Sequence, residues 1–259
     1  MKAIVLSYDK NRPLVDHMLA TYKRLWPECP FTFRIPYQVD LQFRPGLAPI
    51  EPVPSPVPIK ACLLRLIEDL PDDEWVYWCI DDKFLIELNV QVAAHLHQFV
   101  TRQQDPTVSG VLFCRCRAMC RAPSVSQKPV FLTDLGVQLL QRYDFNQIWL
   151  HQYLRAGVLR KLFEDFPDRD FLAIEMDDFT AQGHNAQKLP GNQIFYVTQQ
   201  NFMVLGESTR RGQLTRTCLE SLRNHGLPVP GNFSILDEEV RMGGCKHLPT
   251  KNSISHEFM

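Results

Sequence analysis

The stretch Trp75-Val-Tyr-Trp-Cys-Ile-Asp-Asp-Lys-Phe-Leu-Ile86 constrains this chain more than any other. Trp75 to Ile80 is an aromatic-rich apolar run with the length and composition of a buried strand. Asp81 and Asp82 then interrupt it. Burying an unpaired carboxylate is costly, so two in succession belong where a strand ends and something neutralises them. Basic side chains would do so, and so would a divalent cation, which prefers hard carboxylate oxygens. Acids at the C-terminal end of a central strand, beside a crevice, fit a site for a metal and a diphosphate. The same pair also fits a surface turn that caps the next helix. Side chains alternate along a strand, so a strand running on through the pair would let only one acid reach a ligand directly.

The segments around this strand read as α/β. Ala3 to Ser7 is a short apolar strand, and Pro13 suits the first turn of a helix with Asn11 as its cap. Val15, Met18, Leu19, Tyr22 and Leu25 recur at helical spacing until Trp26-Pro27, and Phe31 to Pro36 alternates as a strand. This β-α-β unit favours a parallel sheet with ligand chemistry at the C-terminal strand ends. Prolines at 45, 49, 52, 54, 56 and 58 make Tyr37 to Pro58 a polyproline-type loop rather than a helix or central strand.

Helices are expected at Ile59 to Leu70, Val90 to Arg102, Asp134 to Tyr143, Gln152 to Phe166 and Leu214 to Leu222. The Gln152–Phe166 helix carries Leu154, Val158, Leu159, Leu162 and Phe163 on one face. Strands are expected at Val108 to Cys114, Phe145 to Leu150, Ile194 to Val197 and Phe202 to Leu205. Phe171 to Phe179 is a second apolar run punctuated by acids. The expected fold class is α/β: a single Rossmann-like domain over 1–259 with a mostly parallel central sheet flanked by helices.

Composition removes several functions. The net charge is −1, so bulk charge gives no reason to expect nucleic-acid binding. No segment has the apolar length of a membrane span, and the N-terminus is too short for a secretion signal, so a cytoplasmic protein with reduced thiols is expected. Only 12 glycines occur, and none forms a dinucleotide fingerprint or a P-loop. Cys114, Cys116, Cys120, Cys245 and His247 can be drawn as a zinc site, but their spacing fits none of the usual knuckles. A lone His247 or His256 could add a metal ligand elsewhere.

The order of a strand, Ser7-Tyr8-Asp9, a helix, a strand, a long loop, a helix opening at Lys60 and a strand ending in Asp81-Asp82 resembles the GT-A class of nucleotide-diphospho-sugar glycosyltransferases. The resemblance covers residues 1–115 in architecture and 116–259 more loosely, as a nucleotide-binding and an acceptor-binding half. In that class the loop after the first strand holds the nucleoside. A short acidic motif, usually D-x-D, binds a cation on the diphosphate. Here the matching segment is Cys79-Ile-Asp-Asp-Lys83, with adjacent acids instead of spaced ones.

The resemblance implies that Ser7, Tyr8, Asp9, Lys60 and Asp81 line the nucleotide, and that Asp81 and Asp82 carry Mn²⁺ or Mg²⁺. Gln147-Ile-Trp149 and Ala173-Ile-Glu175 are similar to acceptor-side segments of bacterial sugar transferases. Trp149 would then line the acceptor sugar and Glu175 would be the general base, with Asp177 and Asp178 behind it. Gly206 to Gly212 is similar to the loop and basic helix start that follow the last strand pair. A UDP- or GDP-sugar donor, a glycan or small-molecule acceptor and a homodimer go with this reading.

The chemistry asks for these groups. Charge builds on the departing diphosphate, which a cation stabilises as a Lewis acid, and an acceptor hydroxyl needs a base within hydrogen-bond reach. Duller roles stand beside each. Ser7, Tyr8 and Asp9 suit a loop or cap, Lys60 and Glu175 suit solvated helix faces, and Trp149 suits the core. Tyr8 could also stack on a base. Two rival functions are a metal-dependent phosphohydrolase and a non-catalytic nucleotide- or carbohydrate-binding scaffold.

Overall fold

The computed structural model describes residues 1–113, 125–143, 148–169, 173–186, 189–207, 209–210, 213–230 and 233–236. The zinc sketch, His256 and Gln147 lie outside the described residues. The strands are β1 (Lys2–Leu6), β2 (Thr32–Tyr37), β3 (Ile50–Pro54), β4 (Trp75–Ile80), β5 (Lys83–Leu88), β6 (Val108–Leu112), β7 (Phe131–Leu132), β8 (Gln138–Arg142), β9 (Gln152–Arg155), β10 (Ile194–Thr198), β11 (Met203–Glu207), β12 (Thr209–Arg210), β13 (Gln213–Thr215) and β14 (Ile235–Leu236). The helices are α1 (Arg12–Leu25), α2 (Ile59–Leu66), α3 (Val90–Arg102), α4 (Ala156–Glu164), α5 (Ala173–Ala181) and α6 (Arg216–Asn224).

Nine strands form one sheet in the order β3-β2-β1-β4-β9-β6-β10-β8-β7. β3, β2, β1 and β4 run parallel. β9 enters antiparallel between β4 and β6, and β10 is parallel to β6. β8 is antiparallel to β10 and β7 to β8. The sheet is therefore mostly parallel, as expected. β5 and β11 form a separate antiparallel ribbon, and β12, β13 and β14 a small third sheet.

Burial of β4 on both faces explains its near-continuous apolar sequence. Trp75, Tyr77 and Cys79 enter one core with α1 and α3, where Val15, Met18, Tyr22, Val92 and Leu96 pack. Val76, Trp78 and Ile80 enter the other core with α2 and α4, through Leu63, Leu66, Leu159 and Phe163. Helices on both faces make three layers, and they deliver every parallel strand end to the same edge.

Four local expectations change. Within the proline-rich segment, Ile50–Pro54 is an edge strand paired to β2. Ser55 N–H donates to the Tyr37 carbonyl, so alternation points the nitrogens of Pro52 and Pro54 away from β2, where no ladder bond is lost. The helix expected at Asp134 to Tyr143 is instead a turn, with Gly136 at φ 77°, followed by β8. Leu139 and Leu140 are both buried because the two faces of the sheet are covered, an adjacency that also fits a helix. Gln152 to Arg155 is β9, and the helix starts only at Ala156, whose N–H donates to the Glu74 carbonyl. Residues 148–150 form a turn rather than a strand. β5, directly after the acid pair, had no counterpart in the sequence reading.

Candidate functional site

Leu6 on β1 lies opposite Ile80 on β4, so the residues that follow each strand emerge side by side. Ser7 Oγ donates to Asp81 Oδ2 at 2.7 Å, and Asn11 Nδ2 donates to the same oxygen at 3.0 Å. Asp81 N–H donates to the Leu6 carbonyl at 3.3 Å. Burial first, and then the neighbouring charge of Asp82, push the Asp81 carboxyl up to about 7, against the bonds from Ser7 and Asn11. Asp82 sits in the two-residue turn between β4 and β5, with its side chain 30% exposed and Lys83 Nζ 4.0 Å away. One acid is anchored and buried, and the other is half-buried in the turn. The chain leaves the strand at Ile80, which is why the two do not simply alternate.

A buried polar chain backs this turn. His151 is fully buried, with Nε2 3.0 Å from the Ile80 carbonyl and Nδ1 2.8 Å from the Tyr22 hydroxyl. A carbonyl only accepts, so the proton sits on Nε2 and Tyr22 donates to Nδ1. Tyr77 continues the chain, its hydroxyl 3.0 Å from that of Tyr22. Burial holds the His151 imidazole down at about 4, so it stays neutral.

Asp9 acts as a clasp. Its carboxylate accepts from the backbone N–H groups of Gln38, Val39 and Asp40 and from Arg12 Nη2. Burial raises its pKa, but these donors together hold it below the ordinary carboxylate range. The β1–α1 and β2–β3 connections are thus tied together beside Ser7. Tyr8 is half-buried and extended, with Lys10 Nζ 5.4 Å from its ring centre.

The remaining sequence candidates gather elsewhere, on the α2–α4 face. Trp78 Nε1 donates to the Ile148 carbonyl, which lays the 148–150 turn against β4. Trp149 Nε1 donates to Thr180 Oγ1 on α5 at 3.1 Å and packs edge-on against Phe163 and Phe166. Glu175, in the first turn of α5, pairs with Arg169 at 3.2 Å, and Asp178 is exposed. Lys60 Nζ reaches Asp168 Oδ1 at 2.9 Å. Ser7, Asp9, Asp81 and Asp82 therefore share one edge, while Lys60, Trp149, Glu175 and Asp178 belong to a second group around α5.

The sequence reading missed two members of the first group. Asn11 fits a helix cap by sequence, yet its side chain makes no cap bond and turns to Asp81 instead. His151 carried no signal at all, because its partners Ile80 and Tyr22 are far away in the chain. A cavity of about 660 Å³ between α3 and β7 and another of about 410 Å³ around Arg155 include none of Ser7, Asp81 and Asp82.

No protein-family model matches the chain, and no curated protein matches it. Solved structures are similar to it at low identity. S. aureus TarS 1-349 in complex with UDP-GlcNAc is 13% identical, over 82% of this chain and 59% of that one, with a TM-score of 0.46. The chain thus spans 59% of the length of that structure. The cytidylyltransferase IspD of Francisella tularensis is 12% identical over 86% of this chain and 98% of its own, with a TM-score of 0.42. The galactosyltransferase LgtC, in complex with donor and acceptor sugar analogues, is 8% identical over 74% and 68%, with a TM-score of 0.37. At these identities the likeness is one of fold, and the α/β architecture rests on the strand order and register given above. Among the described residues, no helix is long and apolar enough to cross a membrane.

Proposed function

We propose that the chain transfers a sugar from a nucleoside-diphosphate sugar to an acceptor hydroxyl, with Asp82, backed by Asp81, holding a divalent cation on the diphosphate. The observation that carries this reading is the Ser7–Asp81 bond. It joins the loop after β1 to the acid pair at one edge of a parallel sheet, where ligands bind in folds of this kind. Carboxylate oxygens suit Mg²⁺ or Mn²⁺. Among the described residues no three His, Cys, Asp or Glu side chains converge as a cation cage, so phosphate and water would complete the coordination. The cation, when bound, would supply Lewis-acid stabilisation of the leaving diphosphate.

Ser7, Tyr8 and the connection clasped by Asp9 form the nucleotide side, and Lys60, held by Asp168 in the second group, is assigned to it as the phosphate-side cation. Trp149 forms the acceptor side. Glu175 is the proposed base and must first exchange its Arg169 partner; Asp178, more exposed, stands next to it on α5. A second reading, a nucleotide binder without turnover, draws on the burial of Asp81, which takes one acid of the pair out of reach of a ligand.

Melting curves with UDP, GDP and CDP, each with and without Mn²⁺, test the reading. A metal-dependent rise with one nucleotide is expected, followed by consumption of the matching sugar nucleotide in the presence of a glycan. A rise without consumption supports the silent binder, and no rise with any nucleotide ends both.

A further inference from the structure

The cavity of about 660 Å³ between α3 and β7 has the size of a ligand site and belongs to none of the residues proposed above. One wall is a single face of α3. Gln91, His95, Gln98 and Arg102 recur along it at helical spacing, over three turns and about 16 Å. The opposite wall is the turn from β7 to β8, with Asp134 on it. Phe99 and Phe131 add two aromatic rings to the walls, with centres 5.4 Å apart and planes at 47°. Phe131 keeps 39% of its surface exposed.

The chemistry of these walls selects a ligand. Arg102 and Asp134 offset one another, and burial lowers the His95 pKa against the pull of Asp134, so the walls carry no net charge at neutral pH. A phosphate finds no excess of cations here. An aliphatic chain would cover the amides of Gln91 and Gln98 and leave their donors and acceptors unpaired. A sugar ring has hydroxyls around its rim that both donate and accept, and C–H bonds on its face. The amides suit the first, and the electron-rich faces of aromatic rings suit the second. We infer that this groove binds a neutral oligosaccharide, with a sugar face on Phe131 and hydroxyls on Gln91 and Gln98. Three helical turns outrun a single sugar ring, so the ligand is an oligomer. The inference does not rest on the proposed transferase chemistry. Five strand spacings separate β7 from β4, about 24 Å, and neither Asp81 nor Asp82 lines the groove.

Ligand-observed NMR titration of the full chain with maltotetraose, cellotetraose and chitotetraose tests the inference. Binding of at least one is expected, with a Kd below about 1 mM. Gln98→Ala should weaken it about three- to tenfold, and Phe131→Ala at least about tenfold. Gln98 is exposed on α3 and alanine is a strong helix former, so circular dichroism of that variant should match the parent. UDP with Mn²⁺ should not displace the saccharide. Failure of all of these saccharides to bind at about 10 mM overturns the inference. Binding that neither variant weakens overturns it, as does displacement by UDP. Uptake of the apolar dye anilinonaphthalene sulfonate without saccharide binding also overturns it, and marks the groove as a site for apolar ligands. Melting curves without any nucleotide response would end the transferase reading and leave this one standing.

Discussion

Ser7 Oγ and Asp81 Oδ2 lie 2.7 Å apart although 74 positions separate them in the chain. Their meeting follows from the parallel pairing of β1 with β4, which sets Leu6 opposite Ile80 and brings the next residue of each strand to a common edge. The hydroxyl anchors the buried acid while Asp82 keeps part of its side chain at the surface. Most of what can be tested about this protein turns on that division of labour.

Asp82→Ala removes the open carboxylate and should abolish metal-dependent nucleotide binding. Its side chain is 30% exposed, so stability should change by no more than about 0.5 kcal/mol. Calorimetric titration with nucleotide and Mn²⁺, beside a urea melt, checks both halves. Unchanged binding would remove Asp82 from the site.

Asp81→Asn should stabilise the protein at neutral pH. The folded-state pKa is raised from 3.8 to about 7, so the folded form holds a proton that the unfolded form has lost. Stability from this group is complete below pH 3.8 and is lost as pH rises towards 7, by up to about 4 kcal/mol. Asn keeps the amide-sized shape without the charge. Urea melts from pH 4.5 to 8 should show the variant gaining most at the alkaline end.

His151 should produce the opposite slope. Its folded pKa is depressed from 6.5 to about 4, so the unfolded form takes up a proton first as pH falls. Stability is intact above pH 6.5 and declines by up to about 3 kcal/mol on the way to pH 4. Between these limits Asp81 and His151 offset one another in the parent protein. His151→Gln should unmask the Asp81 slope, and Asp81→Asn should unmask the His151 slope. His151→Leu adds a pH-independent loss of about 1–3 kcal/mol by leaving the Ile80 carbonyl without its donor. Two variants with identical pH profiles would show that neither group titrates as described.

Gly110→Ala probes the centre of the sheet, far from the acids. A Cβ there would stand 2.6 Å from Phe195 Cδ1 and 2.9 Å from Leu154 Cδ2, with β9 on one side and β10 on the other. Overpacking of this kind costs about 1–3 kcal/mol. A thermal melt of the variant reads it directly, and an unshifted midpoint would mean that the two neighbours yield freely.

The aromatic run Trp75 to Ile80 announced a strand buried on both faces, and the opening β-α-β rhythm announced a parallel sheet. Both signals are local periodicities, and the chain obeys them. The helix expected at Asp134 to Tyr143 failed because Leu139 and Leu140 are buried on opposite faces of a covered sheet, a pairing that period alone does not separate from a helix. Gln152 to Arg155 failed for a related reason, since a place had to be filled between β4 and β6.

By itself, then, the sequence determined the class of fold and the place where the acids end a strand, because apolar period and strand termination are written within a few residues. Tertiary structure alone decided which acid is buried, that Asn11 serves Asp81 instead of its own helix, that Asp9 clasps the 38–40 connection, and that His151 props the Ile80 carbonyl. Each of these depends on hydrogen bonds between segments far apart in the chain, whose geometry exists only once β1, β4 and β9 stand side by side.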